Sequence, residues 1–194
     1  MAKRLDKLVV VDLESTCWRG PPPPGEESEI IEVGVCLLDP KTLVREERRS
    51  LLVRPQRSSV SAFCTELTAL RPEDLAGAGT LADACAVLAG QYDGRRRAWA
   101  SYGDYDRRQL ERCCRVQGLR YPFGPTHLNV KALFAFDAGL PHEVGLARAL
   151  ELSGLAFVGR PHRGVDDAWN VAALLAQLLA RWQGAAPEAN SGGA

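Results

Sequence analysis

The chain has 194 residues, of which 46% are hydrophobic and 25% are charged, and its 24 basic residues equal its 24 acidic residues. This length predicts one domain whose core is large enough to fold without disulfides or structural metals. A net charge of zero excludes a global electrostatic attraction to nucleic acid or anionic membranes, so a polyanionic partner must be bound at a local site.

The N-terminal segment MAKRLDKL is basic but is not followed by a long apolar segment, so we expect neither a signal peptide nor a membrane partner. Six cysteines lie at irregular spacings: Cys17, Cys36, Cys64, Cys85, Cys113 and Cys114. The absence of a C-x-x-C pair argues against a zinc cage or a disulfide framework. The pattern indicates mostly buried, reduced thiols in a cytoplasmic protein.

Three strand-like segments are predicted within residues 7–54. They cover residues 7–13, 29–39 and 43–54, and the turn at Pro40 favours a three-stranded meander. The loop between the first two segments contains four consecutive prolines. These prolines are typical of either a stiff connection or an SH3-type ligand, and their place inside the domain favours the connection.

Helices dominate the remainder of the chain. We predict two helices within residues 61–92, a fourth strand over 95–103, and a helix over 104–119 that ends at Gly118. Three more helices are predicted over 128–139, 143–154 and 165–182. The expected fold is one α/β domain over residues 1–183, with helices flanking a mixed sheet of an antiparallel meander plus parallel strands. Residues 184–194 are predicted to be a disordered tail.

The first strand ends in two acids, Asp12 and Glu14, separated by one leucine. Successive side chains of a strand alternate between its faces, so both carboxylates project from the same face. Their mutual repulsion is relieved when a divalent cation binds them, and carboxylate oxygens suit Mg²⁺ or Mn²⁺. The alternative is a frayed strand end with both acids solvated, because D-x-E alone is a weak pattern.

Further acids follow later elements. Asp104 and Asp106 begin a helix, where an acid is also a preferred cap. His162 precedes a helix that carries Asp166 and Asp167 in its first turn. This histidine is either a surface residue or a base that acts near neutral pH. Carboxylates from these three regions are able to converge on one cation site.

In this order the motifs resemble the DEDDh family of 3′→5′ exonucleases, and most of all its branch of histone-mRNA and small-RNA 3′-exonucleases and their bacterial relatives. The stretches that carry the resemblance are VVVDLESTCW, EIIEVGVCLLD, FCTELTALRPEDL, GDYDRRQL and GRPHRGVDDAWNVA. The resemblance implies a single RNase H-like domain. It also implies a metal-dependent exonuclease that acts on 3′ ends of RNA or single-stranded DNA and releases nucleoside 5′-monophosphates.

The resemblance implies four acids that bind two divalent cations, Mg²⁺ or Mn²⁺, and a histidine that is the general base of a two-metal mechanism. These residues are Asp12, Glu14, Asp106, Asp167 and His162. Asp106 is preferred to Asp104 because the family places its acid directly after an aromatic residue. Asp167 is preferred to Asp166 because the family leaves four residues between the histidine and the aspartate.

The resemblance also implies a set of substrate-binding residues around the terminal nucleotide: Leu13, Glu14, Ser15, Phe63, Tyr105 and His162. Aromatic faces stack on bases of any sequence, although Phe63 is alternatively a core residue. Arg107, Arg108 and residues 95–97 are candidates for phosphate contacts, and the last run is more typical of a solvated surface. The proline run leaves a protein-partner role open, and the sequence identifies no particular partner.

Two other functions remain compatible with these motifs. One is an exonuclease-like module that binds RNA or protein with weak or no catalysis, and the filled catalytic positions count against it. The other is a phosphodiesterase for small nucleotides, which would act on mononucleotide esters but not on oligomers.

Overall fold

The computed structural model describes residues 3–184, and within this range five strands form one sheet in the order β3-β2-β1-β4-β5. The strands are β1 (Arg4–Ser15), β2 (Ile30–Leu38), β3 (Arg45–Leu52), β4 (Arg97–Ser101) and β5 (His127–Asn129). β1, β2 and β3 pair antiparallel, β4 pairs parallel with β1, and β5 pairs parallel with β4. The predicted meander and mixed sheet are therefore confirmed.

The helices of the described range are α1 (Ala62–Thr68), α2 (Pro72–Ala76), α3 (Leu81–Gly90), α4 (Tyr105–Val116), α5 (Val130–Asp137), α6 (Leu146–Leu152) and α7 (Gly164–Gly184). None of these helices is long and apolar enough to span a bilayer. α7 ends at Gly184, the first residue of the predicted tail, and residues 185–194 lie outside the described range.

Two helix predictions are wrong in detail. Residues 61–92 contain three helices instead of two, because Ala69 adopts a left-handed backbone that ends α1, and Pro72 then starts α2. The helix predicted over 128–139 begins too early, since Leu128 lies in β5. Asn129 ends that strand and caps α5 by accepting the Ala132 N–H at 3.1 Å.

The sheet separates two apolar layers. Val9 and Val11 of β1 pack on the side of α3 and α4, whereas Val10 packs on the side of α5, α6 and α7. This alternation follows from the two-residue repeat of a strand whose two faces are both covered. Fully burying an aliphatic side chain of this size contributes about 1.5–3 kcal/mol, so the two layers hold the sheet in place.

The backbone at the N-terminus of α7 packs directly against the backbone of β2. A Cβ atom on Gly34 would overlap the backbone of Gly164 and Val165, and a Cβ atom on Gly164 would lie 3.0 Å from the Asp12 carbonyl oxygen. Glycine at both positions permits this close approach. The contact brings the first turn of α7, with Asp167, against the end of β1.

Candidate active site

Three carboxylates converge where β1 ends beneath the first turn of α7. One oxygen atom each of Asp12, Glu14 and Asp167 lies within 4.8 Å of the others. The intervening Leu13 is buried in the core, so the two acids of β1 share the opposite face, as predicted. Asp167 Oδ2 is buried without a hydrogen-bond partner. A buried acceptor without a donor, beside two further carboxylates, fits a divalent cation.

Asp106 lies beside this group at the start of α4 and is 4% exposed. Its Oδ1 accepts the Leu13 N–H at 2.9 Å, so the backbone of β1 uses one of its oxygens. Asp104 is the N-cap residue of α4 but makes no capping hydrogen bond with its side chain. Its carboxylate instead accepts a hydrogen bond from Arg107 Nε at 3.3 Å. The structure therefore places Asp106 against the carboxylate group and turns Asp104 toward an arginine.

Asp166 and Asp167 have different partners, as expected for neighbours that differ by about 100° around a helix. Asp166 forms an ion pair with Arg48 of β3, and its Oδ2 accepts the Arg160 N–H at 2.7 Å. Asp166 thus ties the preceding turn to β3, while Asp167 joins the acids of β1.

His162 is exposed and lies in the turn before α7, with a left-handed backbone of φ 63°. This conformation costs a non-glycine residue about 1–2 kcal/mol. It persists only where neighbouring contacts fix the chain. The turn has such contacts, because the Val158 N–H donates to Asn170 Oδ1 at 3.0 Å and the Asn170 amide donates to the Val158 carbonyl at 3.0 Å.

Burial raises the pKa of every carboxyl group in the cluster, and the neighbouring negative charges raise the pKa values of Asp12 and Glu14 further. The pKa rises to about 8 for Glu14, to about 7 for Asp167 and to about 6 for Asp106. The pKa of Asp12 lies well above its usual value. The group therefore holds protons near neutral pH unless cations replace them.

These pKa values predict that the metal-free protein is less stable at alkaline than at mildly acidic pH. A carboxyl group with a raised folded-state pKa stabilises the fold below its unfolded pKa, and this contribution is lost as the pH rises through the folded pKa. Between about pH 5 and pH 8.5 we expect a loss on the order of a few kcal/mol, or about 5–10 °C in Tm. Thermal unfolding in a chelator measures this change.

Added MnCl₂ should reverse the loss, and more strongly at the higher pH, because cations bind the deprotonated carboxylates. Carboxyl groups with lowered pKa values change their contribution to stability only below about pH 5. Asp39 is one of them, because hydrogen bonds from the backbone of Thr42 and Lys41 lower its pKa to about 2. A metal-free Tm that is constant or rises between pH 5 and 8.5 would contradict this electrostatic description.

The predicted substrate-binding residues differ in how much side chain they expose. Tyr105 is 57% exposed, and Phe63 is half-buried outside the buried core clusters, with the Arg19 guanidinium 5.2 Å from its ring centre. Leu13 is only 4% exposed, and Ser15 is 6% exposed with its hydroxyl bonded to Gln109 at 3.1 Å. Tyr105 and Phe63 therefore offer aromatic surface, whereas Leu13 and Ser15 offer little more than backbone.

Two arginines of the run 95–97 serve the fold. Arg96 forms an ion pair with Asp93 at 2.7 Å, and Arg97 forms one with Asp6 of β1 at 2.7 Å. These pairs connect the start of β4 to the turn that precedes it and to β1. Arg108 also forms an ion pair, with Asp104 at 3.6 Å, but 74% of its side chain is exposed.

Glu32 was not predicted as a functional residue from the sequence. It is fully buried in β2 opposite Glu14 and bonded to Arg163. A signal was present, because Glu32 interrupts the apolar run of β2, and a charged residue inside such a strand requires a partner. The identity of that partner is not readable from local sequence.

The chain belongs to the exonuclease family: the sequence model of the family described as Exonuclease (RNase_T) matches residues 9–175. Among its relatives, human 3′-5′ exoribonuclease 1 is 30% identical over 187 residues, which cover 90% of this chain and 52% of the relative. The 3′-5′ exonuclease Snipper of Drosophila melanogaster is 27% identical, with 89% of this chain and 69% of the relative covered. The chain thus spans about half the length of the exoribonuclease 1 relatives.

Solved structures agree with this family. The nuclease domain of 3′hExo, described as a DEDDh family member bound to rAMP, superposes with a TM-score of 0.83 at 28% identity and covers 93% of this chain and 95% of that domain. E. coli Exonuclease I in complex with a dT13 oligonucleotide shares the fold, with a TM-score of 0.68 at 10% identity, and covers 92% of this chain and 42% of that one. The predicted family and RNase H-like fold are therefore confirmed.

Proposed function

We propose that this protein is a metal-dependent 3′→5′ exonuclease that shortens RNA or single-stranded DNA and releases nucleoside 5′-monophosphates. The observation that carries the proposal is the convergence of Asp12, Glu14 and Asp167 within 4.8 Å in a chain of the exonuclease family. The name of the human relative and the rAMP of the 3′hExo structure favour RNA as the natural substrate.

Four carboxylates, those of Asp12, Glu14, Asp106 and Asp167, would hold two divalent cations, Mg²⁺ or Mn²⁺. A donor set made only of oxygen suits such hard cations. When bound, the cations supply Lewis-acid activation of water and neutralisation of the developing phosphate charge. The partly buried position of the carboxylates strengthens their attraction for cations relative to that of solvated acids.

His162 is proposed to accept the proton of the attacking water at a ring nitrogen. The turn that carries it is held by buried Asn170 and by Asp166, so the histidine is presented on a preformed backbone. A base positioned in advance shortens the search for a reactive geometry.

The terminal nucleotide is proposed to stack on the aromatic faces of Tyr105 of α4 and Phe63 of α1, which expose ring surface. Stacking on aromatic rings is tolerant of sequence and contributes about 1–3 kcal/mol per base. Leu13 and Ser15 would contact the nucleotide through the backbone of β1, and Glu14 would do so through the cations.

The proposal predicts a ladder of products when 5′-labelled single-stranded RNA or DNA is incubated with Mg²⁺ or Mn²⁺. Products should shorten by one nucleotide at a time from the 3′ end, and a chelator should abolish the reaction. Binding without shortening would favour the non-catalytic module. Hydrolysis of mononucleotide esters without action on oligomers would favour the small-nucleotide phosphodiesterase.

We also propose a cytoplasmic location. All six cysteines are free, and five of them are buried. Cys85 and Cys114 remain unlinked although their sulfur atoms lie 3.7 Å apart. Such unpaired thiols are typical of a reducing compartment.

A further inference from the structure

Glu32 lies in β2 opposite Glu14 in the antiparallel register and is 0% exposed. Its Oε1 accepts the Ser50 hydroxyl at 2.6 Å, and its Oε2 accepts the Gly164 N–H at 3.0 Å and Arg163 Nε at 3.2 Å. Burying a carboxylate is strongly unfavourable unless donors of this kind surround it. Both oxygens of Glu32 are thus used within the protein, in contrast to Asp167 Oδ2.

Arg163 connects this buried carboxylate to the turn that carries the proposed base. It follows His162 directly, and its guanidinium extends to Glu32 of β2. Its carbonyl oxygen accepts the N–H groups of Asp166 and Asp167 at 2.8 and 2.9 Å. Arg163 therefore bonds to the sheet through its side chain and to the first turn of α7 through its backbone.

We infer that Glu32 and Arg163 are positioning residues that fix the His162 turn on the sheet for the hydrolysis. The inference rests on the proposed function. The first turn of α7, with Asp167, is also held by the backbone contact between Gly34 and Gly164, so we expect loss of the ion pair to affect the His162 turn more than Asp167. A displacement of about 1 Å at a reacting group lowers a rate by roughly 100-fold, which makes such an anchor effective.

The pair also sets the charge balance of the site. Glu32 faces the same region as Glu14, and a fifth uncompensated carboxylate would compete for cations or repel the phosphate. Arg163 forms an ion pair with Glu32 at 3.2 Å and neutralises its charge. Two divalent cations would then match the charge of the remaining four carboxylates.

The test compares Arg163→Gln with the neutral double variant Glu32→Gln/Arg163→Gln. Arg163→Gln should lower the Tm, because it leaves a buried carboxylate without its cation partner. The double variant should recover most of the Tm, yet its kcat on single-stranded RNA at saturating Mn²⁺ should stay roughly 10-fold or more below wild type. Its KM and its Mn²⁺ affinity should be nearly unchanged, and amide hydrogen exchange over residues 160–164 should be faster.

The matched control is Arg148→Gln/Glu151→Gln, which removes an exposed ion pair of α6 and should leave kcat and exchange unchanged. Recovery of kcat together with the Tm in the double variant would overturn the inference and leave the pair a purely stabilising one. Unaltered exchange over 160–164 would overturn the anchoring. Wild-type protein without metal-dependent shortening would instead refute the proposed function, and with it the basis of this inference.

Discussion

Asp12→Asn is expected to lower the rate of 3′ shortening by roughly 1,000-fold, equivalent to about 4 kcal/mol, because a charged cation ligand is lost. The variant should remain folded, since asparagine has nearly the same shape. Its metal-free Tm at about pH 8 should rise above that of wild type, because one of several mutually repelling carboxylates is gone. The Mn²⁺-induced increase in Tm should be small or absent. Rate and Tm are measured on the same preparation, with 5′-labelled RNA as substrate.

Asp6→Asn is the matched control, because Asp6 lies on the same strand but is exposed and paired with Arg97. It should retain the activity and the Mn²⁺ response of wild type. Full activity of Asp12→Asn would show that the acids of β1 do not hold the catalytic cations. A lower metal-free Tm in that variant would contradict the repulsion inferred at the cluster.

His162→Ala is expected to lose about 100- to 10,000-fold of the activity, the usual contribution of a general base. The Mn²⁺-induced increase in Tm should persist, because the cations are assigned to the carboxylates. This combination separates a base from a ligand, and both quantities are measurable with labelled RNA and thermal unfolding.

His162→Asn distinguishes loss of the imidazole from a change of the turn. Asparagine tolerates the left-handed backbone found at this position, so the turn should keep its conformation while the base is removed. Both variants should therefore be similarly inactive. His142→Ala, at another exposed histidine, is the control that should behave as wild type. Retained turnover in both His162 variants would remove the histidine from the mechanism.

The early strands were predictable because the residue pattern that defines each strand lies within that strand. β1 and β2 are apolar runs bounded by charges and turns, and the two-residue repeat of β1 alone places Asp12 and Glu14 on one face. The separation of Asp166 from Asp167 follows in the same way from the angular step of a helix. Family spacing then selects one acid of each close pair. In the structure Asp167 lies within the carboxylate cluster and Asp106 accepts a hydrogen bond from the backbone of Leu13 next to it.

The remaining features depend on contacts that local sequence does not encode. β5 has only three residues and is defined by its pairing with β4. In the sequence alone, its apolar residue Leu128 looks like the first residue of the α5 helix. The split between α1 and α2 depends on the backbone of Ala69. Glu32 and Arg163 lie 131 residues apart in the chain, and their pairing requires α7 to be docked on β2.

The distance along the chain between the acids of β1 and Asp167 has a consequence for biosynthesis. β1 precedes and α7 follows every other helix and strand described, so β1 leaves the ribosome before them and α7 after them. A nascent chain therefore carries only part of the cluster until α7 has emerged and packed at Gly34. If the carboxylates hold the catalytic cations as proposed, the nuclease is unable to act before α7 has been synthesised.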